Sequence, residues 1–169
     1  MKARAFTLVE LIVVIAIIGT LAGIAIPMGR SMVRRSREAS CLNQLRSIAI
    51  GMQGYLQDHQ NRLPELATGR NSKSSGEPVL ETVLLPYVES EEVFHCPADD
   101  HEYGKAGSSY GWNHTQNGLH VDKLAFFGIQ ARPDKIPLVF DKEAWHPGGT
   151  NFLYADFSSS AKVRFTTGP

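Results

Sequence analysis

The sequence predicts an α+β fold in which one long N-terminal α-helix packs against a small head with an antiparallel β-sheet. Three observations predict it: an apolar run over residues 6–27, an amphipathic helical pattern over residues 28–56, and short strand-like runs in the last third of the chain. The 169 residues suffice for one ordinary domain and a tail. We therefore expect a leader at residues 1–5, a helix in two halves, and an α+β head over residues 57–169.

The bulk composition excludes some classes of protein. The 17 basic and 17 acidic residues cancel, so no basic field indicates a nucleic-acid partner. Cys41 and Cys96 are the two cysteines, too few for a disulfide scaffold or for a four-thiolate zinc site.

The apolar run at residues 6–27 contains a single charge, Glu10. As a helix these residues extend roughly 30 Å, enough to cross a hydrocarbon core. A secretory signal peptide has a shorter apolar core followed by a small-residue cleavage site, which this run lacks. A plain membrane anchor with an incidental Glu10 near the interface stays open, although a carboxylate inside a spanning helix costs about 3 kcal/mol and usually has a function.

A third interpretation accounts for the charge. The run AFTLVELIVVIAIIGTLAGIAIP resembles the prepilin signature of type IV pilins and type II secretion pseudopilins. The resemblance implies cleavage by a prepilin peptidase between Ala5 and Phe6 and N-methylation of Phe6. Thr7, Glu10 and Pro27 then match the second, fifth and twenty-second mature positions of the family. The family usually has Gly before the cut, where this chain has Ala5.

The same resemblance gives the helix an assembly role. Glu10 would pair with the α-amino group of Phe6 in a neighbouring subunit, because a carboxylate among apolar helices needs a cationic partner. Gly19 and Gly23 form a G-x-x-x-G that permits close helix packing, or are simply frequent small residues of a membrane helix. Pro27 lacks an N–H and would loosen the helix locally.

The resemblance also implies partners and a location. The fold becomes pilin-like, and the chain a structural subunit with no enzymatic activity that self-associates into a pilus-like or secretion pseudopilus filament. It would meet prepilin peptidase, an inner-membrane assembly platform and membrane lipid. It would cross the inner membrane once, with its head in the periplasm, before entering a periplasmic or extracellular filament. The alternative is a single-pass membrane-anchored periplasmic protein with an enzymatic or binding head.

The second half of the helix carries an apolar stripe at spacings of three and four residues, which should face the head: Leu42, Leu45, Ala49, Met52 and Leu56. Further on, Pro78 should begin a short helix that Pro86 ends. The runs LAFFGI, IPLVFD, NFLYAD and SAKVRF are typical of strands, and the last three predict an antiparallel meander.

The C-terminal third resembles pilin-like proteins with an H-X9-DG region. His146 and Asp156 have the required spacing, but Phe157 stands where that family has Gly. A turn using positive φ at this position should therefore be built differently, over residues 158–160.

Two kinds of site remain candidates in the head. A hydrolase site could use His146, Cys96, Asp156 and Asp141, but no catalytic motif supports it, and a His–Asp hydrogen bond that fixes a hairpin is favoured.

We expect no cofactor, with calcium as the one ion that the head could bind. Its weak candidate ligands are the carboxylates Asp99, Asp100, Asp141 and Asp156, and a solvated loop near residue 100 is the preferred alternative.

The pilin-like topology finally suggests a disulfide between Cys41 and Cys96. It places everything after the membrane helix outside the cytoplasm, where disulfides persist. Two independent free thiols are the alternative.

Overall fold

The computed structural model describes residues 8–165. Its main element is helix α1, Leu8–Asp58, a single helix of 51 residues that is about 75 Å long. Pro27 lies inside α1 without ending it. The predicted arrangement of one long helix followed by a small head is therefore confirmed.

The two halves of α1 have different surroundings. No residue from Leu8 to Ser40 is buried, and burial begins at Cys41. The buried side of the second half contains the predicted stripe, except that Leu42 is only partly buried. It also includes three residues that the pattern omitted: Cys41, Ile48 and Gly51. We call the contact between residues 41–56 and the head the seam.

The head consists of short elements. Two helices, α2 (Leu80–Leu84) and α3 (Glu102–Ala106), precede a four-stranded antiparallel sheet with strand order β1-β4-β5-β6 and a separate β2–β3 hairpin. The strands are β1 (Tyr110–Trp112), β2 (Ala125–Phe126), β3 (Ile129–Gln130), β4 (Pro137–Asp141), β5 (Phe152–Tyr154) and β6 (Ser159–Ser160). The predicted helix between the two prolines and the predicted meander are both present.

Two helix ends differ slightly from the sequence prediction: α1 ends at Asp58 instead of residue 56, and a 3₁₀ turn at Leu85–Tyr87 continues past Pro86.

Two strand boundaries differ as well. The run LAFFGI was expected to be one strand, but it bends into the β2–β3 hairpin because Phe127 and Gly128 both take positive φ, 46° and 82°. The last strand of the meander is Ser159–Ser160, which begins one residue before the run SAKVRF and ends well before its end.

The turn from β5 to β6 corrects the expectation for Phe157. This residue takes the left-handed conformation, φ 63°, in spite of its side chain. Asp156 holds the turn, since its Oδ1 accepts hydrogen bonds from the Ser158 N–H and hydroxyl, and the Phe157 N–H donates to the Tyr154 carbonyl oxygen. The ring of Phe157 also packs partly on the core. These contacts hold a conformation that ordinarily favours glycine.

The seam is tight at Gly51. A Cβ on this residue would lie 2.5 Å from Val88 Cγ1 and 3.3 Å from the Tyr87 carbonyl oxygen. Only a residue without a side chain lets this turn of α1 approach the segment after α2 so closely.

We predict that Gly51→Ala destabilises the head by about 1–3 kcal/mol, the usual cost of overpacking. Gly104→Ala in α3 is the control, because nothing lies within 4 Å of its added Cβ. Chemical denaturation of the full chain in detergent should show a lower midpoint for Gly51→Ala and an unchanged or slightly higher one for Gly104→Ala. Equal stability of both variants and the parent chain would contradict the close approach at the seam.

The Phe157 turn gives a second prediction. Phe157→Gly and Phe157→Ala both lose the ring, but only Ala keeps a Cβ that is strained at positive φ. The free energy of unfolding of the Gly variant should therefore be higher by about 1 kcal/mol. The same denaturation measurement compares them. If Ala is equal to or more stable than Gly, the backbone at this residue is not left-handed.

Candidate functional site

The first half of α1 exposes a long row of large apolar side chains. Fifteen large apolar side chains between Leu8 and Val33 are 45–73% exposed. Among the described residues, α1 is the one helix whose length and apolar character are sufficient to cross a membrane. An apolar surface of this extent is unusual on a protein that stays in water, and indicates that lipid or protein covers it.

The predicted assembly residues lie on this half. Glu10, Gly19 and Gly23 are all exposed, and a Cβ added to either glycine would meet nothing within 4 Å. The face carrying the G-x-x-x-G is therefore open to another helix. Ala5, Phe6 and Thr7, the predicted processing residues and the neighbouring threonine, lie outside the described residues.

The second feature is a polar cluster buried at the seam. Cys41 comes from α1, Cys96 from the loop before α3, Asp141 from the end of β4, and His146 from the loop that follows β4. Cys96 Sγ lies 3.3 Å from His146 Nε2, Cys41 Sγ lies 3.3 Å from Asp141 Oδ1, and His146 Nε2 lies 3.6 Å from Asp141 Oδ2. The two sulfurs and a ring nitrogen of His146 all lie within 4.8 Å of one another.

Neighbouring groups hold the four side chains in place. The Asn151 N–H donates to Asp141 Oδ2 at 2.8 Å. The Tyr110 hydroxyl lies 3.2 Å from Cys41 Sγ and donates to Gln44 Oε1 at 3.0 Å. The antiparallel pairing of β1 with β4 places Tyr110 opposite Asp141, so the sheet register fixes the cluster against α1.

Burial and proximity shift the ionisation of the cluster. The hydrogen bond with Cys41, together with His146 and a backbone hydrogen bond from Ala98, lowers the pKa of Cys96 to about 5 against the effect of burial. The same hydrogen bond with Cys96, and then burial, raises the pKa of Cys41. Burial raises the pKa of Asp141 to about 6. Burial would lower the pKa of His146, but the hydrogen bond to Cys96 and the nearby carboxylate of Asp141 raise it.

The arrangement does not suit a hydrolase. A nucleophile–histidine–acid triad uses both ring nitrogens, one for the nucleophile and one for the acid. Here Cys96 and Asp141 both approach Nε2, while His146 Nδ1 is buried without a hydrogen-bond partner among the described residues. Cys96 is also fully buried, so substrate has no access to its sulfur.

The pair with nine intervening residues is not joined in the structure. His146 contacts Asp141 and Cys96, whereas Asp156 contacts Ser158 and lies 3.9 Å from Arg164. The His–Asp interaction favoured from the sequence therefore involves Asp141, and Asp156 shapes the turn between β5 and β6.

The predicted cysteine pair is brought together. Both residues are buried and both are free thiols in this structure. The disulfide stays a prediction, now supported by proximity. Sequence spacing gave no sign that Asp141 and His146 would join the two sulfurs, because these contacts span 50 to 100 residues.

The candidate calcium ligands have separate surroundings. Asp99 is buried and caps α3: its oxygens accept hydrogen bonds from the Ser109 hydroxyl and from the backbone N–H groups of residues 101–103. Burial would raise the pKa of Asp99, but these hydrogen bonds lower it. Asp100 is exposed. Calcium binding stays an untested prediction.

A family model described as the prokaryotic N-terminal methylation motif matches residues 1–26. The chain carries the methylation motif of prepilins. This motif is the hallmark of type IV pilins and pseudopilins, and the match covers Phe6 and Glu10, so the resemblance inferred from the apolar run is confirmed. Pro27 lies one residue beyond the match. The match ends before the head, and it does not extend to the H-X9-D region. Searches of curated proteins and of solved structures returned no match.

Proposed function

We propose that this prepilin-type chain is a structural subunit of a type IV pilus-like or type II secretion pseudopilus filament. The observation that supports the proposal most strongly is the methylation motif on a helix whose first 33 described residues, Leu8 to Ser40, have no buried member. Among the described residues, its apolar side chains from Leu8 to Val33 remain exposed and are not covered by the head. Its apolar side chains require lipid before assembly and other copies of the helix afterwards.

The uncovered half of α1 first contacts membrane lipid and later contacts the helices of other subunits. Before assembly the uncovered half of α1 spans the inner membrane, with the head in the periplasm. Prepilin peptidase removes the leader before Phe6, and an inner-membrane assembly platform then transfers the helix from lipid into the filament. Because lipid and packed helices are both apolar, the transfer costs little hydrophobic free energy.

Glu10 sets the axial register in this proposal. Its carboxylate lies in the first turn of α1, among exposed Val9, Leu11 and Ile12. A carboxylate surrounded by apolar helices is stable only with a cation. The methylated amine of Phe6 in the next subunit is a cation of suitable reach, and one such pair per subunit would select one axial offset.

The proposed membrane-anchored enzyme is the weaker alternative. It would use Cys96 and His146, which are 3.3 Å apart. Their burial and the shared use of Nε2 support a structural role instead.

We predict that Glu10→Ala and Glu10→Gln leave membrane insertion intact but reduce filament yield by at least about tenfold, because the register pairing is lost. The matched control is Glu89→Ala, which removes an exposed carboxylate from the head. Membrane fractionation measures insertion, and quantification of sheared filaments measures assembly. Normal filament yield from both Glu10 variants would contradict the proposal.

A further inference from the structure

Four side chains of different chemistry converge on one point at the seam. They are two sulfurs, one imidazole nitrogen and one carboxylate, and all four residues are buried. A hydrogen-bond network alone does not explain the convergence, since Cys96 and Asp141 both approach the same nitrogen of His146.

The separations agree with the edges of a metal-coordination tetrahedron. Zinc bonds of about 2.3 Å to sulfur and about 2.0–2.2 Å to nitrogen or oxygen imply ligand–ligand separations of about 3.3–3.8 Å. Cys96 Sγ lies 3.3 Å from His146 Nε2. Asp141 approaches with both oxygens, Oδ1 3.3 Å from Cys41 Sγ and Oδ2 3.6 Å from His146 Nε2, so one carboxylate borders both sides of the cluster. The sulfur pair lies within 4.8 Å.

We propose that Cys41, Cys96, Asp141 and His146 form a structural binding site for a thiophilic divalent metal ion, with Zn²⁺ as the preferred ion. The two sulfurs and the imidazole nitrogen form the group of three ligand atoms, and rotation of the adjacent Asp141 carboxylate supplies one oxygen as the fourth ligand of a structural zinc site. Sulfur ligands disfavour Ca²⁺ and Mg²⁺, which bind oxygen. This site is different from the calcium site considered from the sequence, although both include Asp141.

The surroundings provide the outer contacts that metal sites use to orient their ligands. The Asn151 N–H holds one oxygen of Asp141, and the Tyr110 hydroxyl contacts Cys41 Sγ. Two of the four ligands therefore already have an outer partner.

The site would join the two parts of the molecule. Cys41 is on α1, and the other three ligands belong to the head. A bound ion would clamp the head to the rod at the place where burial begins. A disulfide between Cys41 and Cys96 would occupy the same two sulfurs, so coordination and oxidation exclude one another, and only coordination requires His146 and Asp141.

Cobalt(II) titration of the reduced, chelator-stripped full chain in detergent tests the site directly. We expect saturation at one ion per chain, sulfur-to-cobalt charge-transfer absorption with tetrahedral ligand-field bands, and loss of both signals when Zn²⁺ is added. His146→Gln should weaken binding by at least about 100-fold, more than the loss of an outer contact costs.

Two further variants separate coordination from folding. His146→Cys restores a metal ligand but not an imidazole, so it should bind cobalt where His146→Gln does not. His101→Gln alters the exposed group His101, Glu102 and Glu143 and should bind like the parent chain. Absence of charge-transfer absorption in the reduced parent chain, or undiminished binding in His146→Gln, would overturn the proposal.

Discussion

The packing of residues 41–56 of α1 against the head is the interaction on which the rest of the structure depends. Leu45, Ile48, Met52 and Leu56 are almost completely buried there, and at about 2 kcal/mol each they contribute on the order of 8 kcal/mol. This is an upper estimate, but it is comparable to the whole stability of a small domain. The short strands of the head, of two to five residues each, have no comparable surface of their own.

This packing divides one continuous helix between two environments. The half that contacts the head is fixed in orientation by the seam, by the close approach at Gly51 and by the polar cluster around Cys41. The other half extends from the head with its apolar side chains uncovered. A rod that is rigidly held at one end and uncovered at the other suits a subunit whose helices pack together while its heads remain outside.

The sequence predicted those features that depend on local patterns. The apolar run around Glu10, the stripe from Leu45 to Leu56 and the strand-like runs of the meander each follow from a pattern or a motif within a short window. It missed features that depend on tertiary contacts. The left-handed backbone at Phe157 is held by Asp156 and the core, against the local preference for glycine.

The buried cluster was predicted only in part, for a similar reason: the sequence grouped His146, Cys96 and Asp141 as candidates but did not join Cys41 to them. His146 and Cys96 were both candidates, but the sequence paired His146 with Asp156 by spacing, whereas the β1–β4 register brings Asp141 beside it. No periodic pattern encodes a contact across 100 residues, such as that between Cys41 and Asp141.

In the function proposed above, removal of the leader before Phe6 prepares the uncovered half of α1 for a filament core. Intact mass and N-terminal sequencing of the protein from membranes and from sheared filaments test it most directly. The account predicts a chain five residues shorter than the 169-residue precursor, beginning at a singly methylated Phe6 in both fractions. Chains that still begin at Met1, in cells with an active prepilin peptidase, would contradict it.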